Sequence, residues 1–219
     1  MEKYFPILLS SPLFRGIAEE DVRRMLTCLG ARAMQYARRE AILCEGAPAS
    51  YIGLVLSGIV HIAEEGLDGN RTIVESVQAG EMFLEAFACA SAPALPVEAV
   101  AAEDSIVLLL DADRILHTCH HHCGHHEAMI FNLMRNMARK TLDLHEKISV
   151  TSRRTTREKL LSYLTACAKR TGARSFSIPF DRQELADYLE VDRSGLSAEI
   201  GKLRREGVLE SHKRSFKLL

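Results

Sequence analysis

The stretch from 181 to 205, DRQELADYLEVDRSGLSAEIGKLRR, constrains this chain more than any other. Asp181 with Glu184 three residues later has the form of a capping box, in which each side chain accepts from the other residue's amide. Leu185, Ala186 and Leu189 then give a short helix one apolar face. Glu190 and Val191 break it, and Asp192 suits the N-cap of a second helix. Leu196, Ile200 and Leu203 recur at spacings of four and three, the buried stripe of that second helix. Two short helices joined by a tight turn form a helix-turn-helix, whose second helix enters the DNA major groove with its first turn. That turn carries Arg193, Ser194, Gly195 and Ser197. Arginine can bond two acceptors on guanine at once, serine can bond a base edge or phosphate, and Gly195 permits close approach.

Charge supports a nucleic-acid partner for this part of the chain. Residues 151–219 hold 15 Lys+Arg against 9 Asp+Glu, a net of +6, whereas the whole chain is −1, which leaves −7 for residues 1–150. A basic third on an acidic remainder is a phosphate-binding module joined to something that does not bind phosphate. After the helix pair, Gly207, Val208 and Leu209, a turn at 211–214, then Phe216 and Leu218 predict a β-hairpin with the basic tip His212-Lys213-Arg214. Such a wing is suited to phosphate contact. Arg182 and Lys202 complete the expected DNA-facing set with Lys213 and Arg214.

Upstream, the texture is that of short strands. Residues 52–56, 59–63, 72–77, 97–101 and 106–110 are apolar runs punctuated by glycine, and Asp68-Gly69 is a hairpin signal. Many short strands predict a barrel or double-sheet roll. A helix is expected over 10–29, a loop over 88–96, and a short helix over 111–119. From 125 a long helix follows, with Ile130, Met134, Met137, Thr141, Leu144 and Ile148 as a heptad seam for a second copy of the chain. Thr155 and Glu158 form another capping box, and Cys167 reads as a small core residue.

Other classes are disfavoured. No apolar run approaches the ~20 residues a membrane span needs, and the N-terminus lacks the basic start and long apolar core of a secretory signal. Six cysteines at no framework spacing suggest a reducing, cytoplasmic setting. There is no nucleophile–base pair and no phosphate loop. A metal-dependent enzyme on a cupin-like roll is the alternative from another class, but the strands offer only His61 and a few acids as ligands. The run CHHHCGHH contains Cys119, His122, Cys123 and His126, ligand types preferred by zinc, and supports a metal- or redox-responsive alternative.

The order of roll, long helix and winged helix-turn-helix resembles the cyclic-AMP receptor protein/Fnr (Crp/Fnr) superfamily of bacterial transcription regulators. The resemblance is carried by PLFRGIAEEDVRRML, LVLSGIVHI, VQAGEMFLEAF and RQELADYLEVDRSGLSAEIGKLRREGVLE, and covers nearly the whole chain. It implies an α+β fold with a cyclic-nucleotide-binding-like β-roll at 1–124, a dimerisation helix at 125–150 and a winged helix-turn-helix at 151–219. It also implies a homodimer on a palindromic operator in double-stranded DNA, an effector sensed in the roll, and RNA polymerase as a candidate further partner. Arg193 matches the family's recognition arginine, but Ser194 stands where the cyclic-AMP-responsive member has glutamate. The family's turn glycine is Glu190, a change that costs little if its backbone avoids the left-handed region. The nucleotide cassette of the family has Gly-Glu and, further on, Arg-Ser for the phosphate; here those positions are Leu84-Glu85 and Leu95-Pro96. A buried cyclic phosphate would lack its charge partner, so cyclic AMP is not the expected effector.

Overall fold

The structure is a computed structural model and describes residues 2–66, 71–117 and 124–219, with the backbone alone at Arg71 and Gly124. It is an α+β fold. In chain order the elements are α1 (Phe5–Ser10), α2 (Glu19–Cys28), β1 (Arg32–Tyr36), β2 (Ala41–Leu43), β3 (Tyr51–Ser57), β4 (Ile59–Glu65), β5 (Arg71–Gln78), β6 (Met82–Phe83), α3 (Glu85–Cys89), β7 (Glu98–Ala101), β8 (Ser105–Asp111) and α4 (Ala112–Leu116). Then follow α5 (Gly124–Thr151), α6 (Thr156–Thr171), β9 (Ser175–Ser177), α7 (Arg182–Leu189), α8 (Arg193–Arg205), β10 (Leu209–His212) and β11 (Ser215–Leu218). They group into two compact units, Met1–Glu65 with Val74–Thr141, and Gly66–Ile73 with Leu142–Leu219.

The first unit holds two four-stranded sheets, in the orders β1-β8-β3-β6 and β2-β7-β4-β5. Side chains of a strand alternate between faces, and here both faces of β3 and β8 are covered. Val55, Val107 and Leu109 join an apolar cluster with Ile62, Val77 and Leu95; Leu54, Leu56, Leu108 and Leu110 join another with Leu8, Phe14, Val22 and Ile115. That double burial is why these strands read as unbroken apolar runs rather than alternating ones. Gly53 serves close packing: a Cβ there would lie 2.1 Å from the Phe83 ring.

The five expected strands are present, and β1, β2 and β6 were not anticipated. Four of the five β1 side chains are exposed, and β6 is two residues long, so neither shows an apolar pattern. The expected 10–29 helix is corrected to a shorter one. Pro12 opens a separate 3-10 turn, Gly16 takes φ 78, and α2 starts only at Glu19. Asp68-Gly69 lies outside the described residues.

The buried side of the N-terminal half of α5 presents Met129 and Leu133 to the apolar cluster of α1 and α2, with Met137 packed against its edge. Asn132 Nδ2 donates to the carbonyls of Leu13 and Arg15, at 3.1 and 2.8 Å. Of the expected seam residues, Met137 is half-buried and packs on the chain's own core, and Ile130 is half-buried too. The exposed apolar groups of α5 are Phe131, Met134 (57% exposed), Leu142, Leu144 and Ile148 (64%), with Thr141 also exposed.

In the second unit, α6, α7 and α8 close on one core with the three-stranded sheet β10-β11-β9. Leu160, Leu164 and Cys167 of α6 meet Leu185 and Leu189 of α7, Leu196, Ile200 and Leu203 of α8, and Phe216 of β11. Both expected capping boxes are formed, at Thr155/Glu158 and Asp181/Glu184. No helix among the described residues is long and apolar enough to cross a membrane.

Candidate DNA interface and effector region

The N-terminus of α8 is built by Asp192. Its carboxylate accepts the Gly195 amide at 2.7 Å and the Ser194 hydroxyl at 2.5 Å. These bonds, the hydroxyl first, hold the carboxyl below its ordinary range. Ser194 thus spends its only hydroxyl donor on the cap and keeps its oxygen lone pairs as acceptors. Arg193, Ser197 and Lys202 are exposed on the same helix, whose opposite face buries Leu196, Ile200 and Leu203.

Glu190, which ends α7, has φ 54 and ψ 55. The condition under which replacing glycine would cost little is therefore not met. The tight turn between α7 and α8 demands that conformation, and a β-carbon is strained there. Lys159 of α6 caps the carbonyls of Leu189 and Glu190, at 3.1 and 3.2 Å. Sequence reasoning also missed Arg157. It spans from α6 to Glu199 at 3.2 Å and to Glu206 at 2.6 Å, bracing both the middle and the end of α8.

The wing turn is shorter than expected. β10 and β11 extend to His212 and Ser215, leaving Lys213 (φ 52) and Arg214 as a two-residue turn. Lys213 is exposed. Arg214 reaches Glu184 of the α7 capping box at 3.4 Å. Arg182 lies with its guanidinium 5.7 Å from the centre of the Phe216 ring. Both are half-buried, and burial holds Arg182 below its ordinary pKa. The structure thus gives these two arginines internal contacts that fasten the wing to α7, and leaves Arg193, Lys202 and Lys213 outward.

In the first unit Leu84 has φ 60 and is buried. A left-handed backbone, which ordinarily favours glycine, is thus held here by a leucine. Leu95, 2% exposed, packs with Val77, Phe83 and Val97, while Pro96 is exposed. Glu85, also 2% exposed, accepts from Asn136 Nδ2 at 2.9 Å and pairs with Lys140 of α5 at 3.0 Å. Lys140 also meets Glu75 of β5 at 2.7 Å and donates to the Met82 carbonyl.

Cys119, His122 and Cys123 lie outside the described residues. His126 is buried, and its Nε2–H donates to the Ile115 carbonyl at 2.6 Å, which removes that nitrogen from ligation. Among the described residues no group of three or more His, Cys, Asp or Glu side chains is arranged to hold a metal ion.

Residues 33–122 match the family model of the cyclic nucleotide-binding domain, and residues 158–219 match that of the Crp-like helix-turn-helix domain. The chain belongs to the Crp/Fnr superfamily. This Crp/Fnr protein is a transcription regulator with a DNA-binding domain, in a family of regulators rather than enzymes. Its fold is shared with FixK2 from Bradyrhizobium japonicum, at 24% identity over 86% of this chain and 92% of that one, TM-score 0.69. It is shared too with the c-di-GMP-responsive regulator CLP of Xanthomonas campestris, at 18% identity over 92% and 99%, TM-score 0.75. A CooA variant from Carboxydothermus hydrogenoformans matches at 17% identity over 88% and 85%, TM-score 0.72. No curated protein sequence matches the chain.

Proposed function

We propose that this regulator acts in the cytoplasm as a homodimer on a palindromic DNA operator, with one α8 in each half-site and a signal other than cyclic AMP. The observation that carries the reading is the outward set Arg193, Ser197 and Lys202 on a helix whose N-terminus is held by Asp192. Arg193 stands in the first turn, where a guanidinium can take the two major-groove acceptors of guanine. The exposed α5 row of Phe131, Met134, Leu142 and Ile148 supports pairing with a second copy. A two-fold dimer presents two α8 helices to half-sites about one helical turn apart.

The signal is argued from the roll. The two positions expected to hold a phosphate are a core leucine and an exposed proline, and neither carries a donor for an anion. RNA polymerase is the partner that would convert occupancy of an operator into altered transcription.

The test is selection of bound duplexes from a random pool. The expected product is a palindrome with two equal half-sites, and Arg193→Ala should lower affinity for it about 5- to 150-fold, one good bidentate base contact. An Arg193→Ala protein with the affinity and base preference of the wild type would refute the assignment of α8.

A further inference from the structure

The region of the first unit where the family resemblance places an effector is occupied by the chain's own charges. Lys140 has three N–H donors. They face Glu75 Oε1 at 2.7 Å, Glu85 Oε1 at 3.0 Å and the Met82 carbonyl. One helical turn earlier, Asn136 donates to Glu85 Oε1 at 2.9 Å. Two side chains of α5 therefore grip β5, β6 and the start of α3 together. Leu84 and Leu95, at two of the other expected effector positions, are buried in the apolar cluster.

We propose that Lys140 is the built-in occupant of this region, so that the sheets and α5 are tied without any small molecule. The proposal rests on the reading of the protein as a regulator whose roll does not answer to cyclic AMP. A ligand shifts a conformational equilibrium only through contacts it makes better in one state than in the other. Here the contacts that would join the sheets to the long helix are already made by side chains. An anionic ligand arriving at Lys140 must first displace a carboxylate and leave it buried without its partner, which is strongly unfavourable.

The charge state of Lys140 fits. Burial pulls the Lys140 ammonium down, but Glu75 and Glu85 more than offset it, and its pKa lies above the ordinary value. Burial pushes the Glu75 carboxyl up, against the opposing pull of Lys140. Lys140 is a positioning residue in this scheme: it touches no DNA base and acts through α5.

The test uses the full-length protein, with its deproteinised extract checked by mass spectrometry for bound small molecules. Two readouts are taken with no addition and with millimolar cyclic AMP, cyclic GMP or cyclic di-GMP. One is affinity for the duplex that the wild type selects from a random pool. The other is amide hydrogen exchange along α5, which does not depend on the DNA reading. The expected result is a ligand-free wild type that binds the duplex, slow exchange in α5, and less than a twofold effect of each nucleotide. Lys140→Met should weaken DNA binding at least tenfold and speed exchange around residues 136–140, and Lys140→Arg should restore most of both. Should Lys140→Met fail to fold by circular dichroism, Glu75→Ala tests the same tether at its more exposed end, with a smaller loss in the same direction.

The proposal is overturned if a stoichiometric small molecule is found whose removal abolishes DNA binding, or if exchange in wild-type α5 slows only after a nucleotide is added. It is overturned equally if well-folded Lys140→Met matches the wild type in both readouts. A wild type that selects no duplex, with slow α5 exchange that Lys140→Met accelerates, would refute the DNA reading and leave the tether standing.

Discussion

The Lys147 ammonium sits 4.9 Å from the centre of the Tyr188 ring and donates to the Ile73 carbonyl, in a position where the lysine is only 8% exposed. Ile73 is itself part of the core formed by α6, α7 and α8. A cation over an aromatic face gains from the ring quadrupole, but burial opposes the charge more strongly. It brings the Lys147 pKa down to about 8, with the charge of Glu190 pulling the other way.

That depression has a definite consequence for stability. The folded-state pKa of Lys147 lies below its unfolded value, so between pH 8 and 10.5 the unfolded chain binds the extra proton. Stability from this group is therefore present above the unfolded pKa and lost as pH falls through about 8. Chemical denaturation of the wild type and of Lys147→Met across that window should differ in slope, the wild type gaining on the order of 2–3 kcal/mol relative to the variant as pH rises. Parallel curves would show that Lys147 is not buried as a charge.

Glu190→Gly should stabilise the protein. The residue holds φ 54, and the carbonyls of Leu189 and of Glu190 itself are capped by Lys159. Relief of the left-handed strain should contribute about 1 kcal/mol, less the added freedom of glycine in the unfolded chain. Glu190→Ala, which keeps the β-carbon, should not reproduce the gain, and equal melting points for the two variants would contradict the argument.

Met134→Glu and Ile148→Glu should each turn a dimer into a monomer without unfolding it. Both side chains are more than half exposed in the single chain, so the charge costs little there and much in an apolar seam. Met137→Glu should instead destabilise the fold, since Met137 packs on the chain's own core. Light scattering and thermal melting separate the two outcomes. Dimers persisting at low micromolar concentration in Met134→Glu/Ile148→Glu would place the second copy elsewhere.

Lys213→Ala should weaken binding to all duplexes alike and reduce the salt dependence by about one phosphate contact. Arg214→Ala should act differently, by loosening the wing, because its guanidinium is engaged with Glu184. Its effect is expected in thermal stability as well as in affinity. A melting point unchanged by Arg214→Ala would return that residue to the simple phosphate-binding role.

Local rules carried the sequence reading where the deciding contacts lie within a few residues. Both capping boxes, the Asp192 cap and the Leu196, Ile200 and Leu203 stripe need only near neighbours along the chain, and each formed as expected. The apolar strands were visible because the sheet centre is covered on both faces. Other features depended on partners distant in sequence. Glu190 takes a left-handed turn because α7 and α8 must meet over a shared core, a demand that overrides the preference of glutamate itself. Met134 and Met137 look alike in a heptad, but only the packing of α5 on α1 and α2 turns one outward and the other inward. Arg157 meets Glu199 and Glu206 more than forty positions away, and Lys140 meets Glu75 and Glu85 across more than fifty. No periodicity records such pairs. Buried charges are settled by where the tertiary fold brings their counter-charges, so the tether at Lys140 could be known only from the folded chain.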